Sequence, residues 1–434
     1  STRVRSSAAS DVYKRQNQSA SSEATSEQKN INAPVSILSV GSNDGSVKQS
    51  NEGNTSASSK NNNETSQQNA QGQQASGSGG QSGDHPDGCG CGGNSDQRGN
   101  GGQSIHQSQS AENENETNQE ATSSASKKQV NVNAPVSILS YGSNDGNVDQ
   151  SNQGNTTASS ENNNTTEQGN GQYQQASNSG KGGRQQSWGE RKGSQGNGSA
   201  DQRQEAENQN QTGQTADSTA ESKQVNVNAP VSILSACSND GNVHQSNEGN
   251  TSASSHNNND TQQGNLQYQK AKANGKDGRS GDWYGDGQGK GPGNSGVKQH
   301  QEASNSNATD QTAESSAESR QVNVNAPVSV LSYGSNDGNV DQSNKGNTTA
   351  SSRNDNSTEQ ANLQYQQAKT SGNGGSGQYG GAGQYGDGGG QRWNGGKSDG
   401  GSIHQSQSAE NSNDTEQTAE SSAESEQKNV NKPF

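Results

Sequence analysis

A thirty-residue block occurs four times without insertion or deletion, at Asn30 to Ser59, Asn131 to Ser160, Asn226 to Ser255 and Asn323 to Ser352. The second copy reads NVNAPVSILSYGSNDGNVDQSNQGNTTASS, and the others differ from it at only a few positions. A block that tolerates no change of length has a fixed geometry, so whatever one copy forms is formed four times. The prolines of the Ala-Pro pairs, Pro34, Pro135, Pro230 and Pro327, recur after 101, 95 and 97 residues, and Pro433 follows after 106. That period is longer than the roughly 20–50 residues of ordinary solenoid repeats. The length variation lies outside the blocks, in glycine-rich inserts such as SGQYGGAGQYGDGGGQRWNGG.

Inside the block, Val130, Val132, Ala134, Val136 and Ile138 alternate with Asn131, Asn133, Pro135 and Ser137. A period of two with β-branched residues on one face is the pattern of a strand with one apolar side. Pro135 lacks a donor and favours an edge or a bulge over a central strand. Leu139 breaks the alternation and starts a bend. Ser143 to Asn147, SNDGN, is the best turn signal in the chain. A second strand is expected at Val148 to Asn152, a corner at Gly154-Asn155, and a third, polar strand at Thr156 to Ser160.

A single block holds only a handful of large apolar side chains, worth roughly 1.5–3 kcal/mol each if buried. Ordering its backbone costs roughly 1–2 kcal/mol per residue. One block alone is therefore marginal, and its best stabiliser is another copy. Stacked in register, the copies would place Val, Ile and Leu in an inner column and build Asn and Gln ladders. The alternative is four separate hairpins on disordered linkers. The residues expected to carry self-association are Val132, Val136, Ile138, Leu139, Val148, Gln150, Asn152 and Asn155.

Composition governs the rest. Only 19% of residues are hydrophobic, with 58 glycines, one phenylalanine and no methionine. Such a chain buries too little apolar surface to offset its conformational entropy. The fold class expected is a mostly disordered, low-complexity chain carrying four short all-β blocks, arcs or hairpins able to stack as a β-solenoid or cross-β array. The net charge of −15 is dispersed, with no basic stripe, which argues against nucleic acid. No apolar run approaches the ~18 residues that suggest a membrane span.

The organisation expected is a sequencing artefact at 1–16, a polar lead-in at 17–29, and blocks at 30–59, 131–160, 226–255 and 323–352. Disordered Gly/Gln/Asn-rich linkers fill 60–130, 161–225, 256–322 and 353–428, and 429–434 is a truncated start of a fifth block. The opening STRVRSSAASDVYKRQ resembles a translated linker found at the ends of metagenomic protein sequences. The N-terminus is accordingly expected to be incomplete, which leaves a signal peptide out of view.

The candidate chemistry is thin. Cys89 and Cys91, near Asp84, His85 and Asp87, would suit a soft metal or redox site, but they occur in one insert only and no second pair completes a zinc set. Cys237 stands where Gly41, Gly142 and Gly334 stand in the other copies, which reads as drift. Ser143 to Asp149 invites a calcium-loop reading, yet with Gly146 at position six Tyr141 falls at position one, so a turn is the better reading. His106 and His404 share the context SIHQSQSAEN and read as solvated linker residues. Trp188, Trp283 and Trp393, with Tyr284, Tyr379 and Tyr385, are stickers for sugars or self-association, or isolated exposed aromatics. Asn54, Asn155, Asn250 and Asn347 head Asn-x-Ser/Thr sequons that are glycosylation candidates only in a eukaryotic secretory protein. No cofactor and no catalytic or metal site is expected.

The run Gln150 to Ala158, QSNQGNTTA, resembles the Gln/Gly/Asn repeats of curlin-type functional amyloids over the second half of each block. Curlin repeats are shorter and contiguous, whereas these are separated. The overall texture is similar to that of secreted bacterial Asn/Gln-rich repeat proteins. The resemblance implies an extracellular or cell-surface, non-enzymatic structural protein, self-associating into a fibre, coat or matrix. An adhesin or carbohydrate-binding array on surface glycans is the first alternative, and a disordered hydration or desiccation-protection polymer the second.

Overall fold

The chain is described by a computed structural model over residues 3–41, 45–78, 104–142, 146–179, 199–237, 241–274, 295–334, 338–371 and 401–432. Among these residues every regular element is a strand. In the first unit β1 (Arg3–Asn32) runs out, β2 (Val35–Ile37) continues it past the proline, and β3 (Val47–Glu52) and β4 (Thr55–Ser78) run back. The second unit repeats this with β5 (Ser104–Asn133), β6 (Val136–Ile138), β7 (Val148–Gln153) and β8 (Thr156–Ser179). The third is β9 (Ser199–Asn228), β10 (Val231–Ile233), β11 (Val243–Glu248) and β12 (Thr251–Asn274). The fourth is β13 (Ser295–Asn325), β14 (Val328–Val330), β15 (Val340–Lys345) and β16 (Thr348–Ser371), after which β17 (Gly401–Asn431) opens a fifth.

Each unit is thus one rung, a long flattened arch. The rungs stack in parallel and in register, giving four sheets ordered β1-β5-β9-β13-β17, β14-β10-β6-β2, β15-β11-β7-β3 and β16-β12-β8-β4. Equivalent block residues pair throughout, as in Val132↔Val227↔Val324 and Gln150↔Gln245↔Gln342. The first and last sheets form the two long arms and face each other, tied by bonds such as Gln119 Nε2 to Asn163 O at 3.0 Å. At about 3.3 Å per residue the longer arm extends about 100 Å, and rungs repeat about every 4.8 Å.

This architecture corrects three expectations. The chain is not mostly disordered: the segments assigned to linkers at 60–130, 161–225, 256–322 and 353–428 hold most of the long-arm strands, from Lys60 to Ser78 and from Ser104 to Val130 in the first case. Counting apolar area alone missed the reason, because stacking in register supplies each buried amide with a partner from the next rung. His106 and His404 therefore lie in β5 and β17 rather than in coil. Second, the block's alternation is present but inverted. Asn131, Asn133, Pro135 and Ser137 are buried, while Val130, Val132, Ala134, Val136 and Ile138 lie on the outer face, only half-buried. Third, Pro135 occupies an interior rung. It falls in a break between β5 and β6 that recurs in every rung, and its carbonyl still accepts from Val231 N at 2.9 Å.

The bend does begin at Leu139, whose φ is 54°, and Leu38, Leu234 and Leu331 take the same left-handed conformation. Residues 143–145 of the turn signal lie outside the described residues. The return strand starts at Val148 and breaks at Gly154-Asn155 as its residues indicate, but the strand from Thr156 runs on to Ser179. Rungs touch at that corner, where a Cβ on Gly154 (φ 137°) would lie 1.8 Å from Gly53 O. Residues 3–16 pair with Ser104 to Thr117 as the first half of β1.

Candidate self-association site

The interior of the stack is a set of columns, many of them made of one residue type repeated up the rungs. Asn152 is fully buried; its Nδ2 donates to Asn247 Oδ1 in the next rung at 3.0 Å, to Asn226 Oδ1 across the arch at 3.0 Å, and to Val225 O at 3.1 Å. Gln150 Nε2 donates to Gln49 Oε1 at 2.7 Å and to Val227 O at 3.1 Å, and accepts from Gln245 at 2.8 Å. Each carboxamide therefore spends its protons on its own copy and on the opposite sheet. A buried amide left unpaired costs about 1–3 kcal/mol, so this pairing is what allows the interior to be polar.

The inward columns have direction. Asparagines donate toward the higher rung, as in Asn113 to Asn208 to Asn305 to Asn411 at 2.9, 2.9 and 3.0 Å. Glutamines donate toward the lower rung, as in Gln405 to Gln299 to Gln202 to Gln107 at 2.8, 2.9 and 2.7 Å. Counter-running columns oppose their dipoles, so lengthening the stack does not accumulate a one-way side-chain dipole. Between the amides lie small residues: Ala57, Ala125, Ala158, Ala220, Ala253 and Ala317 form one buried cluster, and Ile105 and Val297 close the end near the inserts with Ala176 and Ala271.

Of the eight residues expected to carry association, Val148, Gln150 and Asn152 point inward and are buried. Val132, Val136 and Ile138 face outward, and Leu139 is 48% exposed. Asn155 is exposed at the corner, where its N–H donates to Asn54 Oδ1 at 2.8 Å and its Oδ1 accepts from Asn250 N at 3.0 Å. The sequons at Asn54, Asn155, Asn250 and Asn347 thus form an outer ladder. The columns of Asn113, Asn115, Gln119 and Asn162 were not anticipated, because each reads as linker within its own rung.

Charge is arranged along the stack as well. Lys60 meets Glu161 at 2.9 Å, Lys128 meets Glu27 at 2.9 Å and Arg320 meets Glu426 at 3.1 Å, each between neighbouring rungs. The hydrogen bond from Lys60 lowers the Glu161 carboxyl, and that from Lys128 lowers Glu27. Glu112 is raised, first by burial and then by Glu207, Asp11, Glu114 and Glu205 stacked around it. Lys127 is the exception to the polar columns. It occupies the position of Ser222 and Ser26, is 1% exposed, and donates from Nζ to Gln153 O at 3.2 Å. Burial pushes its ammonium down to about 8.

His106 Nδ1 lies 3.3 Å from Asp201 Oδ2, an acid supplied by the next rung. Cys237 is exposed and takes φ 57°, a left-handed value for which glycine at the equivalent positions is the natural choice. Tyr173, Tyr268 and Tyr365 stack on one outer face with centroids 5.1 and 4.9 Å apart. The sites considered at Cys89 and Cys91, and the tryptophans, lie outside the described residues.

The class defined by this geometry is a parallel, in-register β-solenoid-like stack with an amide-laddered interior. No protein-family model, curated protein or solved structure matches the chain.

Proposed function

We propose that this is a non-enzymatic, extracellular structural repeat protein whose copies add rung upon rung into a surface fibre, coat or matrix. The observation that supports this is that the interior amides take their partners from the equivalent residues of neighbouring rungs, as Asn152 does from Asn247 and Asn113 from Asn208. A rung at the edge of such a stack presents its backbone groups and column amides to whatever lies beyond it, and such an edge is a template for another copy. The interior amides draw their partners from equivalent positions, so a second chain satisfies an end rung as the chain's own rungs satisfy one another.

The test is assembly of the purified chain. Expected are concentration-dependent filaments, seeded by preformed ones, with a meridional reflection at about 4.7–4.8 Å. A chain that stays monomeric at millimolar concentration and binds no amyloid dye overturns the reading. An adhesin or glycan-binding array is the second reading, favoured by the outward tyrosine stack, which suits a sugar face with affinity built by multivalency. It predicts glycan retention that falls when Tyr268 and Tyr365 are replaced.

A further inference from the structure

The outer face of the arch carries what a soluble rung has no reason to expose. Outward positions Val130, Val132, Ala134, Val136 and Ile138 repeat as Val, Val, Ala, Val and Ile or Val in the next two rungs, with no charged side chain among them. Backbone pairing continues through the break, with Val136 N donating to Pro34 O at 2.8 Å, so the face is continuous. On the first rung Ile31, Val35 and Ile37 are 59%, 62% and 59% exposed.

We propose that this face is a lateral docking surface for the same face of a second copy. Nine residues at about 3.3 Å across four rungs at about 4.8 Å give a footprint of about 500 Å², at the upper end of apolar patches on monomers, with Lys29 of the first rung at one corner. Two such faces together bury about 1,000 Å², below the roughly 1,200–2,000 Å² of a stable interface. Two chains joined end to end double the area and pass that mark. Lateral pairing therefore follows axial growth, and in this respect the inference rests on the reading given under Proposed function. A second copy is the occupant that fits. Its rows of valine and isoleucine have the same 4.8 Å period, so side chains of one face seat between rows of the other along any length, as paired sheets do in steric zippers. A partner of another period would match for a rung or two only.

The experiment is mass per length of assembled filaments by dark-field electron microscopy, for the full chain and for a variant with Val136→Thr, Val231→Thr and Val328→Thr. Threonine keeps the β-branch and the rungs intact. The full chain is expected to give the mass of two stacks side by side, and the variant half of it, with the 4.8 Å reflection unchanged. Full-chain filaments with the mass of one stack, or a variant of undiminished mass, overturn the docking surface and leave the axial reading standing. Absence of any filament overturns the axial reading and the docking surface with it.

Discussion

The long arms and the arch use opposite halves of the same alternation. Along the arms the buried half is amide, hydroxyl and alanine, as in Asn113, Asn115, Thr117, Gln119 and Ala121. At the arch the half turned to solvent is valine and isoleucine, with Leu139 and Tyr141 48% and 61% exposed. Burial in this molecule follows the supply of partners more than hydrophobicity. An inward amide finds its mate in the next rung, whereas an outward valine gains nothing from its own chain beyond contact with its neighbours in the column.

The largest effect is expected from breaking a column. Asn247 donates from Nδ2 to Val322 O, Asn323 Oδ1 and Asn344 Oδ1 at 3.2, 2.9 and 2.9 Å. Asn247→Asp buries a charge and turns an acceptor toward three others, a loss of about 3–5 kcal/mol, read as a collapse of the urea midpoint and of amide protection in the neighbouring rungs. Asn247→Gln keeps the chemistry but sets a glutamine in a column that runs the asparagine way, and is expected to cost about 1–3 kcal/mol. If the glutamine variant were neutral, column direction would carry no weight.

Lys127 tests the same interior by pH. Its folded-state pKa of about 8 lies below the ordinary lysine value of 10.5, so between those values the folded state binds fewer protons than the unfolded one. The penalty is complete below about pH 8 and is relieved as pH rises toward 10.5. Lys127→Ser, which restores the residue found at Ser222, removes it. The variant's advantage over the full chain should be greatest at neutral pH and shrink between pH 8 and pH 10 in paired denaturation curves.

The smallest effect is expected at the arch. Leu139→Gly relieves a left-handed leucine, worth about 1–2 kcal/mol, against up to about 1 kcal/mol of glycine entropy. The isolated chain should gain up to about 1 kcal/mol in stability. The same strain in all four rungs suggests that leucine serves a contact outside the rung. Filaments of the glycine variant should then be easier to separate by detergent, and equal resistance would remove the arch's outer face from that role.

Part of this was legible in advance. The return strand from Val148 and the corner at Gly154-Asn155 follow from β-branched and turn residues whose effect is local. The arms could not be found by apolar periodicity, since their inward residues are polar and the partner of each lies in the neighbouring repeat. Their signal lies between rungs: setting the blocks in register brings Asn113, Asn208, Asn305 and Asn411 into one line and Thr117, Thr212, Thr309 and Thr415 into another. The inverted block has the same origin. Stacked copies can bury either half of the alternation, and Asn131 and Asn133, bonded to Asn226 and Asn228 at 3.0 and 2.8 Å, take the inside.

The return arms end at Ser78, Ser179, Asn274 and Ser371, and the next outgoing arms begin at Ser104, Ser199, Ser295 and Gly401, at the same end of the stack. Because every rung begins and ends there, a duplicated unit can be added without renegotiating any other rung. Recombination between repeats would change the height of the rod in whole steps of about 4.8 Å and nothing else. The gene thus counts length in integers, free in its wording between rungs while the register itself stays beyond negotiation.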